Sequence, residues 1–199
     1  MGNNIELIYR GSEQSSEVRR ASGVSFEVTV PAQADVEVDT SNGEITVRGI
    51  EGEFNLDTSN GAVSLSDLIG VLNVDTSNGR IDVRGFNGVL DVETSNGAID
   101  IAESSASIDA RTSNGRIDFA GELVGDSHTL RTSNGAITAR VQLEAALTID
   151  ASTSIGSISS NLALTGDTEG RDWNAVLNAP ATQTLKLRTS NGSIRIEGI

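Results

Sequence analysis

His128, set between Ser127 and Thr129, is the only histidine in the chain and the first residue to weigh as a catalyst. A nucleophile–base–acid triad is normally assembled from separate parts of a fold. Here the nearest hydroxyl and carboxylate, Ser127 and Asp126, are sequence neighbours. His128 falls in a two-residue insertion and is expected to sit in a bulged loop, although its column otherwise holds Phe54, Leu72 and Ile108. There is no cysteine, which excludes disulfides, thiolate zinc sites and cysteine nucleophiles.

The carboxylates form columns. Asp39, Asp57, Asp75 and Glu93 each precede a threonine, and later copies of that position hold Arg111, Arg131, Ser152 and Arg188. Such an acidic stripe is the one candidate for a hard cation, which takes oxygen ligands. It does not require one, because like charges about 4.8 Å apart repel by only about 0.9 kcal/mol in water. A solvated face with an acidic half and a basic half is the expectation, with no metal and no cofactor. Asp82, Asp100 and Asp118 form a second column, with Arg80 and Arg116 placed two residues earlier to neutralise them. Paired carboxylates can cleave polysaccharides, but only in a cleft built by long loops. The turns here are short, so no residue is assigned a catalytic role and the chain is expected not to be an enzyme.

The element that positions these columns is a repeat. Thr-Ser-Asn-Gly begins at Thr40, Thr58, Thr76, Thr94, Thr112, Thr132 and Thr189, and Thr153-Ser154-Ile155-Gly156 is a degenerate copy. Gly43, Gly61, Gly79, Gly97 and Gly115 lie 18 residues apart, after which Gly135, Gly156 and Gly192 follow at intervals of 20, 21 and 36. Aligned on the glycines, the sequence gives apolar columns such as Ile45, Val63, Ile81, Ile99 and Ile117 after the motif, and Val38, Leu56, Val74, Val92 and Ala110 before it.

Apolar and polar residues alternate on both sides of the motif, the period-2 signature of strands with one buried face. Each repeat therefore contributes two short strands. Continuing the alternation through the corner places Thr40, Thr58, Thr76, Thr94, Thr112, Thr132 and Thr189 inward. The same step places Asn42, Asn60, Asn78, Asn96, Asn114, Asn134 and Asn191 inward as an asparagine ladder, and Ile155 in the asparagine column fits that facing. Asn-Gly is also a hairpin signal, but a meander of this length would exceed the roughly ten strands that an open twisted sheet tolerates. Apolar positions do not recur every six residues, which argues against a hexapeptide helix. The expected fold is all-β: a single-domain parallel β-solenoid of about 18-residue rungs, flattened or right-handed, with some eight to ten rungs spanning roughly 40 to 48 Å.

Residues 1–38 read as N-terminal capping strands and 39–199 as one continuous solenoid. Ile5, Leu7 and Tyr9 alternate, and Val28 and Val30 lead through Pro31 into the first repeat. The long interval from Gly156 to Gly192 is expected to hold one irregular rung and a covering loop around Trp173. The ending Ile196-Glu197-Gly198-Ile199 stops mid-rung, so an open C-terminal strand edge and end-to-end self-association are expected.

A formal charge of −14 with a single lysine, Lys186, argues against nucleic acid or an anionic membrane surface as a partner. No apolar run is long enough to insert into a bilayer, and Met1–Arg10 lacks the features of a signal peptide. Aromatic residues make up 3%, so sugar-stacking platforms are scarce. The serine row from Ser41 through Ser59, Ser77 and Ser95 keeps a carbohydrate- or ice-binding alternative open, although charged columns interrupt any flat plane.

The entry Val28-Thr29-Val30-Pro31, the serial Thr-Ser-Asn-Gly-x-Ile-x-Val units and the closing Leu185-Lys186-Leu187-Arg188-Thr189-Ser190-Asn191-Gly192 run resemble the bacterial and archaeal β-strand-repeat domains of unknown function that are labelled as adhesins. The resemblance covers most of the chain. It implies a β-solenoid and an envelope or extracellular location, and carries over no catalytic residue. The expectation is a non-enzymatic, adhesin-like structural module whose partners are proteins or surface polymers. A cytoplasmic self-assembling scaffold is the further alternative.

Overall fold

A computed structural model describes residues 27–199, so the capping strands expected before residue 27 lie outside the described residues. The described chain contains seventeen β-strands and no helix. Short strands arise because each repeat supplies four to eight residues of apolar–polar alternation, bounded by a corner at each end. β1 (Val36–Thr40), β3 (Glu51–Thr58), β5 (Ile69–Thr76) and β7 (Asn87–Thr94) stack in parallel on one face. β2 (Ile45–Arg48), β4 (Val63–Ser66) and β6 (Ile81–Arg84) stack on the other. β8 (Ile99–Thr112) is long enough to serve both faces, pairing with β6 through its first half and with β7 through its second. β9 (Ile117–Leu123), β10 (Ser127–Thr132) and β11 (Ile137–Val141) continue the two stacks. Six turns thus follow in chain order, and the fold is a parallel β-solenoid.

Pairing is in strict register: Phe54 meets Leu72, Leu72 meets Leu90 and Leu90 meets Ile108. The core is a set of such aliphatic stacks closed between the two faces, with Ile81, Ile99, Ile117 and Ile137 fully buried on one side. The second bend of each turn carries Leu68 and Phe86 into the same core. The residues before them, Asp67 and Gly85, and the equivalent Gly49 and Glu103 adopt left-handed φ values between 55° and 67°.

Beyond the sixth turn, spatial order departs from sequence order. β12 (Leu147–Ile155) and β13 (Ile158–Ser160) skip a layer, and β16 (Gln183–Asn191) and β17 (Ile194–Gly198) return to fill it. β16 pairs in parallel with β10 on one side and β12 on the other, and β17 lies between β11 and β13 in the same way. The open C-terminal edge expected from the sequence is therefore absent. Ile194 and Ile196 are fully buried, and the Ile199 amide donates to the Val141 carbonyl. At that end of the rod β12 is covered by β15 (Asp172–Leu177), antiparallel to it, with β14 (Thr165–Asp167) antiparallel to β15, while β13 pairs with β17 alone. Trp173 stands opposite Ala151 in that pairing.

The corner glycines are set by contact between rungs. A Cβ on Gly79 would lie 1.8 Å from the Gly61 carbonyl oxygen, and one on Gly97 1.8 Å from that of Gly79. Gly49 differs, with φ +67° and nothing within 4 Å of an added Cβ. Gly79→Ala is expected to cost about 3–5 kcal/mol in denaturant unfolding, in the range of severe packing lesions. Gly49→Ala should cost only the left-handed backbone penalty of about 1–2 kcal/mol. Equal losses would contradict the assigned contact.

Candidate functional site

The Thr-Ser-Asn-Gly corner is the densest set of polar side chains in the molecule. Its threonine ends the inward alternation of the preceding strand, and Thr58, Thr76, Thr94, Thr112, Thr132, Thr153 and Thr189 are buried, with Thr40 half-buried in the first layer. Each buried hydroxyl is held between rungs. Thr76 Oγ1 accepts from the Gly79 amide at 3.1 Å and donates to the Gly61 carbonyl of the layer before it at 3.3 Å. Thr58 makes the same pair of contacts with Gly61 and Gly43. The donor contact recurs from Thr94 to Gly79, Thr112 to Gly97, Thr132 to Gly115, Thr189 to Gly135 and Thr153 to Gly192. This series follows the spatial order of the layers, including the displaced C-terminal one.

The asparagines correct the inward facing expected from the sequence. Asn42, Asn60, Asn78, Asn96, Asn114, Asn134 and Asn191 are all exposed. Alternation stops at the corner, where serine and asparagine both turn outward before the glycine folds back. The amides still form a ladder along the rod. Asn60 donates to Asn42 at 2.9 Å, Asn78 to Asn60 at 2.8 Å, and the series runs through Asn96, Asn114 and Asn134 to Asn191. Ile155, 66% exposed, pairs with Asn191 in the last parallel layer and ends the ladder rather than marking an apolar interior. A second amide contact, Asn73 to Asn55 at 3.0 Å, lies on the same face. The sequence offered its signal in the matching column.

The charged column forms one straight row: Asp39, Asp57, Asp75, Glu93, Arg111, Arg131, Arg188, then Ser152, each paired in register with the next. Insertion of the C-terminal layer brings Arg188 beside Arg131. Among the described residues, no group of three or more acidic or histidine side chains is placed to hold a metal ion. Asp39, Asp57, Asp75 and Glu93 line up side by side, and a shallow groove of ≈ 260 Å³ runs along Asp57, Asp75, Glu93 and Arg111. Arg111 lies between Asp91, 3.5 Å away, and Asp109. Burial pushes the Asp109 carboxyl above its usual range, against the pull of Arg111 and with the repulsion of Asp91 and Glu93.

The opposite face carries a neutralised network. Arg80 reaches Asp82 at 3.1 Å and Asp100 at 2.9 Å, Arg84 reaches Asp82 at 3.1 Å, and Arg116 bridges Asp100 and Asp118. Hydrogen bonding to Asp118, then the charge of Asp100, holds the Arg116 guanidinium above its ordinary value.

His128 is not in a loop. It lies on β10 opposite Leu185, fully buried, with its ring in the aliphatic stack. The inserted residues before it leave the Ile108 amide beyond the reach of the β10 backbone ladder, and His128 Nδ1 accepts from that amide at 3.4 Å. Nε2 is buried without a hydrogen-bond partner. Burial lowers the imidazole pKa below 6.5, only partly offset by the Gly125 backbone, which lies near the ring but outside hydrogen-bonding geometry, and by the Asp126 carboxylate. A ring kept neutral and sealed from solvent cannot exchange protons with a substrate.

A solenoid with a closed aliphatic core and ordered polar rows defines the class of protein. The chain belongs to the Toastrack DUF4097 family, whose pattern matches residues 4–197. No curated protein matches it. Among solved structures, it is similar to a crystal structure from Clostridium sporogenes ATCC 15579 provisionally described as a cell adhesion protein. The two share 12% identity with a TM-score of 0.37, the match covering 66% of this chain and 56% of the other. The chain thus spans little more than half the length of that protein. No catalytic family is indicated.

Two outcomes follow from the corner and the buried ring. Thr76→Val strands a buried amide and a buried carbonyl and should cost about 2 kcal/mol, whereas Thr76→Ser, which keeps the oxygen, should cost less than half as much. Val74→Asp, which buries a charge, should be worse than either. Urea melts of the three variants check this ranking. For His128, the folded state resists the proton that the unfolded chain accepts, so stability is full above about pH 6.5 and falls as pH drops below it. His128→Leu should flatten the stability-versus-pH curve between pH 6.5 and 5 by up to one proton, about 1.4 kcal/mol per pH unit. An unchanged slope would contradict the burial.

Proposed function

We propose that the chain is a non-enzymatic, adhesin-like structural module that acts at the cell envelope. In this reading it is a stiff rod that presents outward polar columns to a protein or a surface polymer. The observation that carries the reading is the disposal of its chemistry-bearing side chains. The hydroxyls of the threonines are consumed in holding layers together, the one imidazole is sealed in the core, and the exposed carboxylates and guanidinium groups lie in rows rather than converging on a point. Rows suit recognition of an extended partner, since each layer repeats the same contact at about 4.8 Å. Catalysis needs groups that converge on one reacting atom.

The shape of the outward surface supports the same reading. The grooves on the acidic face are shallow and lined by side chains from successive layers, so a partner would lie along the rod rather than enter it. Purified chain should retain at least one glycan on an array, or one purified cell-wall polymer on a solid support, and release it uncleaved. Cleavage of the retained polymer would make the chain an enzyme. Retention of none would leave a scaffold with no polymer partner.

A further inference from the structure

The charged row changes sign once along the rod, between Glu93 and Arg111, which are register partners in adjacent layers. Asp57, Asp75 and Glu93 precede the change, and Arg111, Arg131 and Arg188 follow it. The third basic position exists only because the C-terminal layer is threaded between β10 and β12. Over its six positions from Asp57 to Arg188 the row is its own complement when reversed. If a second rod lies antiparallel against the same face, with a two-fold axis at the sign change, Glu93 meets Arg111 of the other copy. Asp75 then meets Arg131 and Asp57 meets Arg188, each pairing occurring twice.

Arg111 pairs within the chain with Asp91 and Asp109, and Arg188 with Asp150, so the opposed pair with both members free for a second copy is Asp75 with Arg131. Asp75 and Arg131 are exposed, and neither has an ion-pair partner among the described residues. Of the eight exposed large hydrophobic residues among those described, Ile69, Val71 and Val89 all lie on this face in its central layers, Val71 and Val89 being 40% and 51% exposed and register partners. Under the same axis Val89 faces Ser107 of the other copy, so the aliphatic strip lies within the contact without meeting itself and the charged row carries the pairing.

We propose that this face pairs two copies of the chain as an antiparallel, two-fold dimer. This contact lies on the side of the rod, whereas at its end the C-terminal strand β17 is paired on both sides. The net charge of −14 opposes the encounter at long range. Opposite charges in contact act over a few ångströms, whereas the overall repulsion acts across the whole rod. Association is therefore greatest near physiological salt, where the Debye length is about 8 Å, weaker in dilute buffer, and lost near 1 M salt, where that length is about 3 Å.

Sedimentation equilibrium of the full chain across protein and salt concentration tests the proposal. The expected result is a monomer–dimer equilibrium with that salt optimum. Arg131→Glu and Asp75→Arg should each weaken dimerisation by about tenfold or more, because like charges then face each other. The doubly substituted chain, in which the two new charges meet across the axis, should dimerise again, and matching melting curves would show that all three variants fold. A monomer at every concentration and salt, single variants that dimerise normally, a double variant that stays monomeric, or growth past the dimer into filaments would each overturn it.

Discussion

The structure depends on how closely one layer's backbone can approach the next at the Thr-Ser-Asn-Gly corner. With the corner glycine of each layer lying against the carbonyl of the last, a side chain there would occupy the space of that oxygen. The threonine hydroxyl makes the approach stable. At every buried corner it donates to the glycine carbonyl of the neighbouring layer, and at Thr58 and Thr76 it also accepts from the glycine amide of its own layer, so main-chain groups that the turn leaves outside the strand ladders are satisfied. Every other regularity follows from this spacing. Aliphatic residues can stack like on like only because the corners repeat without slippage, and the outward amides can form a chain of hydrogen bonds only because they recur at one layer's distance.

The same regularity explains which parts of the molecule are visible in the sequence. The isoleucine columns and the corner threonine recur at fixed phase, and a one-residue slip would move a whole strand's apolar set to solvent. Those columns therefore report their own burial. The asparagines depart from the expected facing because alternation is a property of extended backbone, and the corner is not extended: Ser59 and Asn60 both point outward between buried Thr58 and buried Gly61. Ile155 looked like an apolar stand-in for a buried asparagine, yet it sits at the last parallel layer, where the ladder ends.

His128 is the opposite case. Its insertion suggested a loop, but the column it shares with Phe54 and Leu72 held the stronger information. The two extra residues are absorbed ahead of β10, and the ring fills the aliphatic stack. It also caps the Ile108 amide that the insertion leaves beyond the backbone ladder. A polar ring is tolerated there because neutral imidazole is close in size to the aliphatic side chains around it and brings one acceptor to an unpaired donor.

The returning C-terminal layer is the feature that no column could reveal. Intervals between glycines give distance along the chain, and a solenoid is read by assuming that successive repeats are successive layers. Here Gly192 stacks on Gly135, and Gly156 on Gly192, so the repeat that comes last lies second from the end of the stack. The consequence is both mechanical and electrostatic. A layer paired on both sides ties the last sequential turn to the closing antiparallel strands through contacts more than fifty residues apart, where a linear array would have only neighbours. It also sets Arg188 next to Arg131, extending the basic run of the charged row to a third layer. A sequence-order stack would have left Ser152 there instead and broken the basic run. The sign order of the row from Asp57 to Arg188 is thus a product of topology and not of the repeat alone.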